Sequence, residues 1–231
     1  MNSAVHIQHL EFKYAHHSAF TIHDLNLVIE QGERFGLFGP NGAGKTTLMN
    51  LMTGLREIHS GSITLLNQEM AKRKKEIFKL FGYVPQDFAF YQELSPRENL
   101  EFFAALYRAD IHRASELLGR VGLASVADER VCTFSRGMEQ RLALARATLS
   151  QPDVLLMDEP FASLDAQGVE LAMVLIEEIV AHGGAIVLTA HQAIPYGRLA
   201  FKHYSLVRGR LYPLPVQSKV LEVPVRSAAV S

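Results

Sequence analysis

The chain has 231 residues and a mass of 25.7 kDa, which suits one large α/β domain or two small ones. Hydrophobic residues make up 48% and charged residues 20%, so a disordered or fibrous chain is excluded. The 23 basic and 24 acidic side chains leave a net charge of -1, which argues against a nucleic-acid binder that works by neutralising phosphates. A single cysteine, Cys132, excludes an internal disulfide framework, suits a reducing compartment and reads as a small buried residue. No apolar run follows a basic start within Met1 to Lys13, so no signal peptide is expected. No stretch approaches the roughly 18 apolar residues of a membrane span. The longest candidate, Leu171 to Ala190, is broken by Glu177, Glu178, His182 and two glycines. A soluble, cytoplasmic protein is expected.

From Val5 to Ile29 apolar and polar residues alternate, the mark of half-buried antiparallel strands. Arg34 to Phe38 reads as a short apolar strand entering a glycine-rich turn. Leu48, Leu51, Met52 and Leu55 then recur at helical spacing, which predicts a helix burying that face. A strand and turn are expected near Ser62 to Leu66, followed by the basic run Lys72 to Lys75, a solvated helix face. Pro96 to Ser150 reads as mostly helical, with one stripe of Leu100, Phe103, Ala104 and Tyr107 and another of Met138, Leu142, Ala145 and Leu149. Val154 to Met157 is a continuous apolar run, as in a strand buried on both faces of a parallel sheet. Leu171 to Ala181 predicts a helix and Ala185 to Ala190 a second buried strand. The last twenty residues, with Pro213, Pro215 and Pro224, read as a weak edge strand and a flexible tail.

Gly39-Pro40-Asn41-Gly42-Ala43-Gly44-Lys45-Thr46 matches the pattern G-x-x-x-x-G-K-[ST] between a strand and a helix. Glycines let the backbone wrap a polyphosphate, so that N–H groups and the helix N-terminus face the anion. Lys45 would reach the β- and γ-phosphates and the Thr46 hydroxyl would bind Mg²⁺. A glycine turn before a helix would carry the same residues, but average frequencies produce this pattern by chance in roughly 1% of chains this long. Nucleotide binding follows. Asp158 and Glu159 end the apolar run at Val154 to Met157. Adjacent strand residues face opposite ways, so the two acids divide the work. Asp158 would hold Mg²⁺ through its water shell and Glu159 would polarise an attacking water. The glycine loop, the two acids and His191 each follow an apolar strand, so three segments bring polar chemistry to one sheet edge.

Together these residues resemble the ATP-binding cassette of ABC transporters over almost the whole chain. The resemblance implies a P-loop NTPase core of mixed, mainly parallel sheet flanked by helices, with an antiparallel β subdomain and an inserted helical subdomain. Residues 1–86 and 152–212 would form the core, 87–151 the helical subdomain and 213–231 the tail. Tyr14 would stack on adenine, and Thr47 would continue the phosphate loop. Gln86, in Tyr83-Val84-Pro85-Gln86-Asp87, matches the Q-loop that contacts Mg²⁺. Ala162-Ser163-Leu164-Asp165 resembles the D-loop, and His191 the switch histidine. Phe134-Ser135-Arg136-Gly137-Met138-Glu139-Gln140-Arg141 stands at the signature, usually written LSGGQ and followed by Q-R. Ser135, Gly137, Gln140 and Arg141 match, whereas Phe134, Arg136 and Met138 depart. Ser135 is also a good helix N-cap on its own account.

One phosphate loop and one signature in a chain imply a shared site. Lys45 and Glu159 of one copy would meet Ser135 and Gly137 of another, in a head-to-tail dimer, with itself or a related cassette, enclosing two ATP molecules. Leu94 to Leu100 resembles the start of the helical subdomain in export-type cassettes, which implies a separate membrane permease docking near Gln86, on the cytoplasmic face. Phe88, Phe90 and Tyr91 read either as core or as part of that dock. A soluble cassette acting on ribosomes or DNA is the alternative reading, but such relatives carry two cassettes or a long coiled coil, and no nucleic-acid partner is expected. A cassette that binds ATP without turning it over is disfavoured by the intact Lys45, Asp158, Glu159 and His191. The remaining histidines, including His6, His9, His16 and His17, show no metal-ligand spacing.

Overall fold

A computed structural model describes residues 3–15, 21–70, 80–191 and 201–214. The basic run Lys72 to Lys75, the pair His16-His17 and the tail beyond Leu214 lie outside these. An antiparallel sheet has the order β2-β1-β4-β5, from β1 (Ser3–Phe12), β2 (Ile22–Glu30), β4 (Ser60–Leu65) and β5 (Gln68–Glu69). A second sheet has the order β10-β9-β3-β8-β7-β6. It is built from β3 (Arg34–Phe38), β6 (Phe81–Val84), β7 (Val154–Asp158), β8 (Ala185–Ala190), β9 (Lys202–Val207) and β10 (Arg210–Pro213). All its pairings are parallel except that of β10 with β9. The helices are α1 (Lys45–Met52), α2 (Pro96–Tyr107), α3 (Arg113–Arg120), α4 (Arg136–Thr148) and α5 (Ala166–Ala181). Among the described residues no helix is long and apolar enough to cross a membrane.

The strand period of two divides the interior. Leu155, Met157, Ile186 and Leu188 pack into a core shared with α2 to α5, while Val154, Leu156, Val187, Phe35 and Leu37 pack into a core under α1 and the antiparallel sheet. Both faces of β7 and β8 are therefore apolar, as the unbroken runs predict. On α2 the capping box of Ser95 and Glu98, with Pro96 in the first turn, starts the helix where the sequence changes character. Both predicted stripes face inward: Leu100, Ala104, Leu142, Ala145 and Leu149 are buried, and Phe103, Tyr107 and Met138 pack against them. Helix α4 lies directly on β6, where a Cβ on Gly82 would fall 2.0 Å from the Ala147 carbonyl oxygen.

Two expectations, on α1 and on Cys132, are corrected. Helix α1 stops at Met52: Gly54 turns left-handed at φ 68°, its amide reaches the Leu51 carbonyl, and Leu55 ends 67% exposed. Cys132 is exposed, because the short 3-10 turn Val131–Thr133 points Val131 inward and turns its neighbour out. Strands β6 and β9 are additional to the sequence reading, and β10, at the sheet edge, is what the C-terminal edge strand becomes. Of the aromatics after the Q-loop, Phe90 is core, Phe88 packs against the core, and Tyr91 is half exposed.

Candidate functional site

Strands β3, β8 and β7 are adjacent and parallel, so their C-terminal ends converge. The loop after β3 runs through positive φ at Gly39 (151°), Gly42 (77°) and Gly44 (103°). A Cβ on Gly39 would fall 2.8 Å from the Leu206 carbonyl oxygen, so that position admits no side chain without a shift. Helix α1 begins with neither a side-chain cap nor an acidic residue in its first turn, which leaves its N–H groups and dipole to an anion. Lys45 is buried. Its ammonium donates to the carbonyls of Gly39 (2.8 Å) and Pro40 (3.3 Å) and lies 3.9 Å from Glu159 Oε1. His191 Nε2 stands 3.0 Å from that same oxygen.

Glu159 lies just past the strand. It adopts a left-handed conformation, φ 53°, so its direction is set by this turn and not by simple strand alternation. Such a backbone costs about 1–3 kcal/mol and persists where neighbours over-determine it. Here the neighbour is Thr189. The Glu159 amide donates to the Thr189 carbonyl (3.2 Å) and hydroxyl (3.1 Å), and that hydroxyl donates to Asp158 Oδ1. Asp158 is 1% exposed, and its Oδ2 has no hydrogen-bond partner among the described residues. An unsatisfied buried carboxylate oxygen invites a cation. Thr46 and Gln86 add oxygen donors at the cleft, a set that fits hard Mg²⁺ bound by few protein ligands. Among the described residues no group of three or more His, Cys, Asp or Glu could hold a metal alone.

A cleft of about 1160 Å³ gathers Tyr14, the whole run Pro40 to Thr47, Gln86, Glu159 and His191. Gly39 accepts a hydrogen bond from Lys45 without lining the cleft itself, and the buried Asp158 is likewise not among the residues that line it. The Tyr14 hydroxyl is 3.0 Å from the Thr47 hydroxyl, and the Arg56 guanidinium covers its ring at 4.8 Å. Ser135, Gly137 and Asp165 are elsewhere, around a second pocket of about 580 Å³ with Arg136, Arg141 and Ser163. There Ser135 caps α4 by accepting from the Met138 amide (3.3 Å), and a Cβ on Gly137 would meet the Ser163 carbonyl at 2.9 Å. Asp165 caps α5 through the Gly168 amide (2.8 Å) and pairs with Arg141 (2.7 Å). These bonds hold its carboxyl below the ordinary value, the Gly168 amide most. Burial, with Asp158 nearby, pushes the Tyr83 hydroxyl well above its ordinary range.

The sequence reading missed Thr189 and the turn of the β9–β10 hairpin, where Leu206 to Gly209 line the cleft with Thr21. The signal for the hairpin was Arg208-Gly209, both at positive φ (49° and 75°), between two short runs of alternating character. Thr189 had no signal beyond standing two residues before His191.

Known proteins resemble this chain in sequence and in fold. Residues 22–162 match the ABC transporter family. A fluoroquinolones export ATP-binding protein of Mycobacterium tuberculosis is 33% identical over 218 residues, 94% of this chain and 72% of that protein. A Nod factor export ATP-binding protein I of Burkholderia pseudomallei is 35% identical over 210 residues, 89% of this chain and 68% of that protein. Among solved structures, an ATP-binding subunit of an ABC transporter superposes with a TM-score of 0.83 at 27% identity, covering 91% of this chain and 90% of that one. A dimeric ATP-binding cassette in a post-hydrolysis state with ADP and Pi gives 0.80 at 26%, covering 90% and 96%. On this family match and on the cassette fold, the chain belongs to the ABC transporter family, as an ATP-hydrolysing, nucleotide-binding subunit.

Proposed function

We propose that this chain dimerises head-to-tail around two Mg-ATP and drives export through a separate membrane permease. The observation that carries the reading is the division of the motifs. Lys45, Glu159 and His191 converge on one cleft, while Ser135 and Gly137 sit around another. A second copy facing the first would bring Ser135 of the partner subunit, with its helix N-terminus, onto the γ-phosphate in the cleft. The dimeric neighbour, bound to ADP and Pi, supports dimerisation.

Within the cleft, the loop amides and Lys45 would neutralise the phosphates, and Tyr14 would flank the base. Glu159, turned toward Lys45 and His191, would orient the attacking water and accept its proton, with His191 steadying the γ-phosphate. Thr46, Gln86 and Asp158 would hold Mg²⁺, which when bound supplies charge neutralisation at the phosphate oxygens. Asp165 would report across the dimer. Residues 87–151 would act as the helical subdomain on the core of 1–86 and 152–212.

The permease reading is supported by an apolar face beside the Q-loop. Tyr91, Phe102 and Leu106 are 44–62% exposed, the first two rings meeting edge to face at 5.0 Å. Leu55, Leu106 and Tyr107 also line a groove of about 550 Å³ between the sheet and α2. The names of the relatives support export. Such a complex would stand on the cytoplasmic face of the membrane.

The test uses tagged Glu159→Gln chain, expected to keep ATP binding, lose turnover and dimerise with Mg-ATP. Captured from detergent-solubilised membranes with Mg-ATP, it should bring down a polytopic membrane protein at comparable stoichiometry. Recovery of only ribosomal or DNA-associated partners would instead establish the soluble-cassette alternative.

A further inference from the structure

Arg136 is one of the signature residues that depart from the common form, and its side chain reaches beyond its own helix. The guanidinium donates to the Gln86 carbonyl oxygen, lies 3.8 Å from Asp87 Oδ1 and stacks over the Phe88 ring at 4.3 Å. Glu139 Oε2 lies 3.9 Å away on the helix side. Three consecutive residues of the Q-loop are thus gripped by one residue 50 positions later in the chain. Helix stability does not require this, because Ser135 already caps α4. A planar fork that stacks and donates at once suits the task, and an ammonium would not. The residue it grips lines the nucleotide cleft, and the residues on either side of it, Ser135 and Gly137, line the other pocket.

We propose that Arg136 is a positioning residue for the shared ATP site. It clasps the Q-loop to the first turn of the signature helix, so that the aim of Gln86 in one cleft and the presentation of Ser135 and Gly137 to the partner's nucleotide are set together. The inference rests on the shared-site reading above. Arg136 acts through Gln86 and touches no reacting atom. A guanidinium that instead met phosphate across the dimer would matter equally whatever stood at positions 87 and 88.

The experiment is a double-mutant cycle on the full chain, in the Glu159→Gln background where dimers accumulate. The dimer dissociation constant in Mg-ATP is measured by sedimentation, and ATP affinity of the dilute chain by a fluorescent analogue. Arg136→Ala should weaken dimerisation about tenfold, the loss expected for one charge-assisted hydrogen bond. In an Asp87→Ala/Phe88→Leu background the same substitution should cost only about threefold, since the carboxylate and the ring it grips are gone and only the bond to the Gln86 main-chain carbonyl remains. ATP affinity of the dilute chain should hold, which reports an intact fold. Arg136→Lys, with charge but no planar fork, should stay impaired. Equal losses in both backgrounds, no loss at all, or full recovery by lysine would each overturn the clasp. Failure of the Glu159→Gln parent to dimerise would overturn the shared site itself, and the clasp with it.

Discussion

Thr189 ties together two acids with different environments. One hydroxyl can donate once and accept, and here it donates to Asp158 and accepts from the Glu159 amide. Valine has nearly the same shape and can do neither. Thr189→Val should therefore destabilise the chain by about 1–3 kcal/mol, the cost of stranding a buried polar group. It should also reduce ATPase activity more than ATP affinity, because the left-handed turn that aims Glu159 loses one of its two holds. Denaturant titration and steady-state kinetics check both. Sequence alone showed the two acids and the histidine, since strand-end placement is a local signal. It gave Thr189 no role because that role exists only in the register Asp158↔Thr189, between strands separated by a helix.

Among the elements, those with long or complete local signals were legible. The apolar stripe from Leu100 to Tyr107 marks α2, the apolar runs mark β7 and β8, and alternation marks β1 and β2. Strand β6 has only four residues, one of them glycine, and β9 alternates weakly, with partly buried His203 and Tyr204 where a clear pattern would show apolar positions. Neither offers a window long enough for its period to stand out. Helix α1 was read one turn too long, since periodicity cannot see a left-handed glycine. The start of α5 tests electrostatics at this scale. Asp165 has a depressed pKa in the folded chain, so its charge stabilises above the ordinary value of 3.8 and that contribution disappears as pH falls through the lower folded value. Asp165→Asn can still cap Gly168 but loses the ion pair with Arg141. Its melting temperature should fall below that of the parent at neutral pH, and the two should converge as pH drops below the ordinary carboxylate value.

For the molecule as a whole, the residues of the two proposed half-sites lie on one chain but around different pockets, and a mixing experiment exploits this. Lys45→Ala and Ser135→Arg should each abolish ATPase activity alone. Mixed, they should recover part of it, because a head-to-tail pair then holds one site with Lys45 from one chain and Ser135 from the other. No recovery would count against the shared site. The β7–β8 pair has a further consequence for how the fold is encoded. With apolar side chains on both faces, a slip of one residue would leave every position buried, so hydrophobicity alone does not fix the alignment. Alignment information must come from the strand ends, where Asp158 meets Thr189. The residues that equip the cleft for chemistry are therefore also the address labels by which the central strands find their partners.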